Sequence, residues 1–246
     1  MNVSPKRCDM LLASALNQLE RHAVGFLDDL KRQAELAQAQ QCTDERAFER
    51  NAALADAACH SAFRYLDALG QQLEILQPAA KAVFQLDKRH ALEGLRLCEF
   101  RADVRRKSLR GIDVCEHVVL NFELRSGREF TLVKNFLPDI ERLEARLRQG
   151  GAKVDSEAVR DPKTHKLAEM RYCFVADFHA SVRLVPDHER GRIQFQLNNL
   201  DGFETVTVEF PAFEVGSARL DELARWLVGE PHAFLQGGQA VRRVEA

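Results

Sequence analysis

From Met170 to Leu184 every second residue is apolar: Met170, Tyr172, Phe174, Ala176, Phe178, Ala180, Val182 and Leu184. Between them stand Arg171, Cys173, Val175, Asp177, His179, Ser181 and Arg183. A period of two over this length describes a strand with one buried and one wet face, the pattern of an antiparallel sheet. A strand so long is expected to bend or bulge.

Shorter alternations surround it. Cys98, Phe100, Ala102 and Val104 face one way, and Glu99, Arg101, Asp103 and Arg105 the other. Val118–Leu124 and Phe130–Phe136 flank Ser126-Gly127, which reads as a hairpin turn. Ile193–Leu197 and Phe203–Phe210 flank Asp201-Gly202 in the same way. Each hairpin is followed by a helical pattern, Pro138–Gln149 and Ala218–Val228, closed by glycines. Residues 95–150 and 168–229 therefore read as two βββα-like repeats with helices on one face of a shared sheet. Residues 152–166 read as a linker and residues 236–246 as a frayed, flexible tail.

Residues 1–78 carry a different period. Leu12, Leu16, Leu19, Ala23, Phe26 and Leu30 step by four and three, a heptad seam typical of coiled coils. Ala39-Gln40-Gln41-Cys42 loses the pattern, and Thr43, followed by Asp44 and Glu45, reads as the cap of a second helix. That helix carries Phe48, Ala52, Ala55, Cys59, Ala62, Leu66, Leu69, Leu73 and Leu76 on one stripe, and Pro78 stops it. Two similar seams with a short link predict an antiparallel helical hairpin. Leu11, Leu27, Leu54 and Phe63 lie off the seams and ask for further cover, from the rest of the chain or from a second subunit. Residues 79–93, with Val83, Phe84, Leu86 and Leu92, read as a short helical connector. The fold class expected is α+β: a helical hairpin, then an antiparallel sheet domain over residues 94–235.

Net charge is −2, which argues against a polyanionic partner for the molecule as a whole. Residues 79–111 are the exception, with nine Lys and Arg against four Asp and Glu. Arg96, Arg101, Arg105, Arg106, Lys107 and Arg110 supply most of that charge and form a candidate phosphate-binding segment for nucleic acid. Only Phe100 stands near them for base stacking, and its alternation assigns it to the core. Charged edge residues that block strand pairing, or salt bridges to the acidic helices, explain the same composition.

Other chemistry is sparse. Asp177 and His179 share a strand face about 7 Å apart and are the candidate acid/base pair. Cys115 and His117 on a neighbouring strand extend it to a candidate metal set of Cys115, His117, Asp177 and His179, without the tight spacing of metal motifs. The six cysteines, Cys8, Cys42, Cys59, Cys98, Cys115 and Cys173, form no CxxC pair and read as reduced thiols, the alternative being a redox sensor. No nucleophile elbow, P-loop or dinucleotide turn occurs, so no cofactor is expected. The N-terminus does not read as a signal peptide, no apolar run approaches the ~20 residues that span a bilayer, and a cytoplasmic protein is expected. The leading expectation is a non-enzymatic interaction or assembly protein that self-associates, as a dimer, through its N-terminal helices. The alternatives are a nucleic-acid-binding protein and a metal-dependent or acid/base enzyme around Asp177 and His179.

Overall fold

The computed structural model describes the backbone from Lys6 onward and the side chains from Phe26 onward. The chain divides into two compact units, residues 1–49 and residues 50–246. The class is α+β, one long N-terminal helix followed by a mainly antiparallel sheet.

The N-terminal helix, α1, runs unbroken over Lys6–Leu76, where a hairpin of two helices is expected from the sequence. Thr43 does not cap a second helix. Its hydroxyl donates to the Ala39 carbonyl 2.9 Å away, one turn back, and Gln40 Nε2 donates to Asp44 Oδ1 at 3.0 Å. Residues 39–46 lose their apolar pattern because they are exposed, while their Ala, Gln, Glu and Arg content still favours helix. Leu30 and Phe48 stand about five turns apart at 3.6 residues per turn, so both fall on one helix face. α1 ends where Gln77 takes a positive φ of 42° and donates its N–H to the Leu73 carbonyl, with Pro78 next.

Residues 79–93 form a minimal hairpin, not a helix. β1 (Phe84–Gln85) pairs with β2 (Ala91–Leu92). The buried residues Phe84 and Leu86 are two apart, a strand period. The Asp87 carboxylate closes the turn by accepting the N–H groups of Arg89 and His90 at 2.7 and 2.8 Å.

The main sheet has seven antiparallel strands. β3 (Arg96–Leu109) turns at Arg110-Gly111, both at positive φ, into β4 (Ile112–Lys134). The Ser126-Gly127 turn expected within β4 does not form. Residues on both sides of it pair with β6 (Leu167–Asp187), Arg125 opposite Asp177 and Glu129 opposite Val175. Ser126, Gly127 and Arg128 thus oppose Ala176 alone, as a bulge. The sequence then runs through α2 (Leu137–Gln149), β5 (Val154–Arg160), β6, β7 (Arg192–Asn198), β8 (Glu204–Pro211), α3 (Ser217–Leu227) and β9 (Gln239–Glu245). The spatial order is β3-β4-β6-β7-β8-β9, and β5 pairs with β6 over residues 167–174. Residues 95–150 hold two strands and a helix and residues 168–229 three strands and a helix, so the two segments are not equal βββα units.

Two stretches without an apolar pattern are strands. Residues 154–160, expected as linker, are β5, and residues 239–245, expected as a frayed tail, are β9 on β8. β9 has every residue exposed. Backbone groups make this pairing, and any sequence supplies them.

One face of the sheet is the core. Phe122, Phe178, Val182, Phe195 and Phe210 are buried beneath Leu143 and Leu147 of α2, Leu220, Leu223 and Trp226 of α3, and Ala55, Ala62 and Leu66 of α1. Small residues on α1 let its backbone come close. A Cβ on Gly70 would meet the Phe100 side chain at 3.2 Å and Leu120 at 3.4 Å. The opposite face carries the polar alternates of each strand.

Candidate functional site

Of the residues singled out from the sequence, Asp177, His179 and His117 stand on the wet face of the sheet and Cys115 lies in the core, so the four do not assemble. Asp177 is half-buried and spent on structure, its Oδ1 accepting from the N–H of Ser126 at 2.9 Å and of Gly127 at 3.1 Å. His179 is exposed, and its backbone N–H donates to the Gly150 carbonyl at 2.7 Å. His117 lies farther along β4 against Arg183, whose Nη2 is 3.2 Å from the His117 Nδ1. Burial and the Arg183 charge both hold this imidazole below its usual pKa, so it accepts the Arg183 hydrogen bond as a neutral ring.

Cys115 is turned into the core. Its N–H donates to Asp56 Oδ1 at 2.7 Å and its thiol lies against Cys59 of α1. Hydrogen bonding to Cys115 and burial push the Cys59 thiol far above its usual pKa. His188, also buried, lies 2.7 Å through Nε2 from the Cys115 carbonyl oxygen, to which it donates. Among the described residues no group of three or more His, Cys, Asp and Glu side chains is placed to hold a metal ion.

The basic segment is spread out. Arg96 and Arg110 stand at opposite ends of β3, about 45 Å apart at 3.3 Å per residue. A register shift between Arg105 and Arg106 sends them to different partners. Arg105 lies 3.6 Å from Glu116, and Arg106 bonds Asp113 at 2.6 Å and lies 3.3 Å from Asp56 of α1. Arg110 pairs with Glu189 at 2.9 Å. Arg101 and Lys107 are exposed.

Two further features stand out. The first is a cavity of about 660 Å³ between the β1–β2 turn, the end of β4 and one side of α2. Its floor is the Asp87 carboxylate, which bonds Lys134 Nζ and lies 2.9 Å from His90 Nδ1. Burial alone would raise the Asp87 pKa. The hydrogen bonds from Lys134, from the Arg89 and His90 N–H groups and from the imidazole outweigh it and hold the carboxyl well below the usual range. Three separate segments build this cavity, and no sequence motif joins them.

The second is an apolar stripe in the first unit. Phe26 is 67% exposed, Leu27 55%, Leu30 47% and Leu36 66%. Phe26 and Leu30 end the first heptad seam. The side chains of Leu12, Leu16, Leu19 and Ala23, and that of Leu11, lie outside the described residues.

Among the described residues no helix is long and apolar enough to cross a membrane. No family model, curated protein or solved structure matches this chain.

Proposed function

We propose that this protein is an interaction and assembly protein that self-associates through the N-terminal part of α1. The observation that carries this reading is the exposure of Phe26, Leu27, Leu30 and Leu36 on a continuous helix. Phe26, Leu27, Leu30, Ala34 and Ala37 occupy adjoining a, d and e positions of the heptad, a stripe wide enough for a helical bundle. Each such Phe or Leu gains about 1.5–3 kcal/mol when fully withdrawn from water, before the cost of association. A helix of this kind is stable when another covers its stripe.

The occupant is a second copy of the chain. Asp28 and Asp29 precede Leu30, and Lys31 and Arg32 follow it. An antiparallel copy crossing at Leu30 sets each apolar stripe against that of its partner, with these four charges outside the contact. The same surface then serves both chains, as a two-fold interface requires.

Light scattering coupled to size exclusion tests this on the full chain across a concentration series. The expected mass is a dimer, falling to a monomer in a Phe26→Glu/Leu30→Glu variant with unchanged far-ultraviolet circular dichroism of the sheet domain. A monomer mass for the wild type at every concentration overturns the reading.

A further inference from the structure

The cavity beside α2 is a concentration of positive charge that the fold itself does not neutralise. Lys88, Arg89, Lys134, Arg142 and Arg146 line it, against the carboxylates of Asp87 and Asp139. Five cations and two anions leave an excess of three positive charges. Asp87 is committed to Lys134, His90 and the turn amides, and Asp139 reaches only Arg142, at 3.9 Å. Arg146 is half-buried, and among the described residues its guanidinium meets only the main-chain oxygens of Leu86 and Ala246, each at 3.3 Å. The side chains of Lys88 and Arg89 make no hydrogen bond or ion pair among the described residues.

Holding like charges around a concavity costs free energy, which a bound anion returns. Three of the cations are guanidinium groups, whose planar forks match phosphate oxygens two at a time. The volume is that of a small-molecule site, and most of its lining side chains are charged or polar, with Val133 the exposed apolar one. The lining favours a compact, highly charged ligand over an apolar one.

We propose that this cavity binds a small organic phosphate carrying two adjacent phosphate groups, with Arg89 and Arg142 contacting it directly and Lys134 fixed beneath it by Asp87. The ligand is held by side chains and not by the start of α2. Pro138 has no N–H there, and the Asp139 N–H is already donated to the Phe136 carbonyl at 3.0 Å.

Isothermal titration of the full chain with inorganic pyrophosphate tests this. Wild type is expected to bind one equivalent saturably, more weakly as salt rises. Arg89→Ala/Arg142→Ala is expected to weaken binding by at least about tenfold, because each charge-assisted contact is lost. Both arginines are exposed, so the variant keeps its fold, which a matched denaturation curve verifies. Phosphatidylcholine vesicles with and without phosphatidic acid, which carries one phosphate, are the control. Pyrophosphate binding without binding of these vesicles supports the proposal, and vesicle binding without pyrophosphate binding, abolished in the same double variant, overturns it in favour of a lipid headgroup. No saturable binding of pyrophosphate by wild type, or equal affinity in the variant, overturns the proposal.

Discussion

Asp177 Oδ1 lies 2.9 Å from the backbone nitrogen of Ser126 and accepts its N–H, holding open the bulge that interrupts β4. The same oxygen takes the Gly127 N–H at 3.1 Å, and Gly127 sits at a φ of 62°. This oxygen satisfies two amides that the ladder with β6 leaves unpaired. This single contact accounts for two departures from the sequence reading. The residue that looked catalytic is a structural acceptor, and the dipeptide that looked like a hairpin turn is a bulge.

Asp177→Ala is therefore expected to lower stability by about 1–3 kcal/mol, the cost of leaving such amides without an acceptor. Asp177→Asn retains an oxygen acceptor and is expected to lose less. Chemical denaturation at fixed pH measures both. Equal midpoints for wild type and Asp177→Ala would remove the structural role assigned to this carboxylate.

How much of the fold was legible follows from which physical signals are local. The alternation in Met170–Leu184 is local and strong, and β6 runs through it. The periods behind α2 and α3 are likewise local. The stripe in residues 48–76 is local as well, and most of it is buried, whereas the gap at Ala39–Cys42 breaks the apolar pattern without breaking the helix. Loss of apolar residues at Ala39–Cys42 reports exposure, and exposure does not break a helix built from good helix formers. Ser126-Gly127 was ambiguous for a different reason, since a glycine at positive φ serves a turn and a bulge alike. β9 was invisible because an exposed edge strand pairs through its backbone. The charged cavity was invisible because Lys88, Lys134 and Arg146 come from three elements and meet only when the chain is folded.

Gly150 shows how tightly α2 is docked on the sheet. A Cβ at this position would stand 2.6 Å from Phe178 Cδ1 and 2.9 Å from Phe203 Cε1. Both rings are buried and stack edge-to-face with each other, their centroids 4.9 Å apart, so neither yields easily. Gly150→Ala is expected to cost about 1–3 kcal/mol through overpacking. A denaturation midpoint displaced at constant slope checks it, and an unchanged midpoint would mean that α2 shifts freely over Phe178.

The Asp87 site carries a pH signature. Its carboxyl is held below the ordinary value of 3.8 by Lys134, His90 and two amides, against the opposing effect of burial. A carboxyl depressed in the folded state stabilises the protein above its unfolded pKa. That stability is lost as pH falls below about 4 toward the lower folded value. Asp87→Asn is thus expected to be less stable than wild type by about 1–3 kcal/mol at pH 7, with the gap narrowing as the pH falls from about 4 to 2. Urea denaturation of both proteins across that range measures the gap. A gap independent of pH would show that the charge on Asp87 contributes nothing.

The cysteines separate a structural reading from a redox one. Cys42 is exposed on α1, whereas Cys59, Cys98 and Cys115 are buried. Burial also pushes the Cys98 thiol above its usual pKa, and Cys173 is pushed up by its hydrogen bond to Glu129, 3.1 Å away. The reactive species is the thiolate, so raised pKa values act with burial to silence Cys59 and Cys98, and a raised pKa slows Cys173. The hydrogen bond with Cys59 holds the Cys115 thiol below its usual pKa, and burial alone shields it. Alkylation of the native protein, followed by peptide mass mapping, is expected, among the described cysteines, to label Cys42 first and Cys173 slowly, leaving Cys59, Cys98 and Cys115 unlabelled until denaturant is added. Cys59 and Cys115 lie against each other between α1 and β4, so a disulfide between them would tie the helix to the sheet. Labelling of Cys59 or Cys115 in the native state at a rate near that of Cys42 would show that α1 opens from the sheet often enough for this pair to sense oxidants.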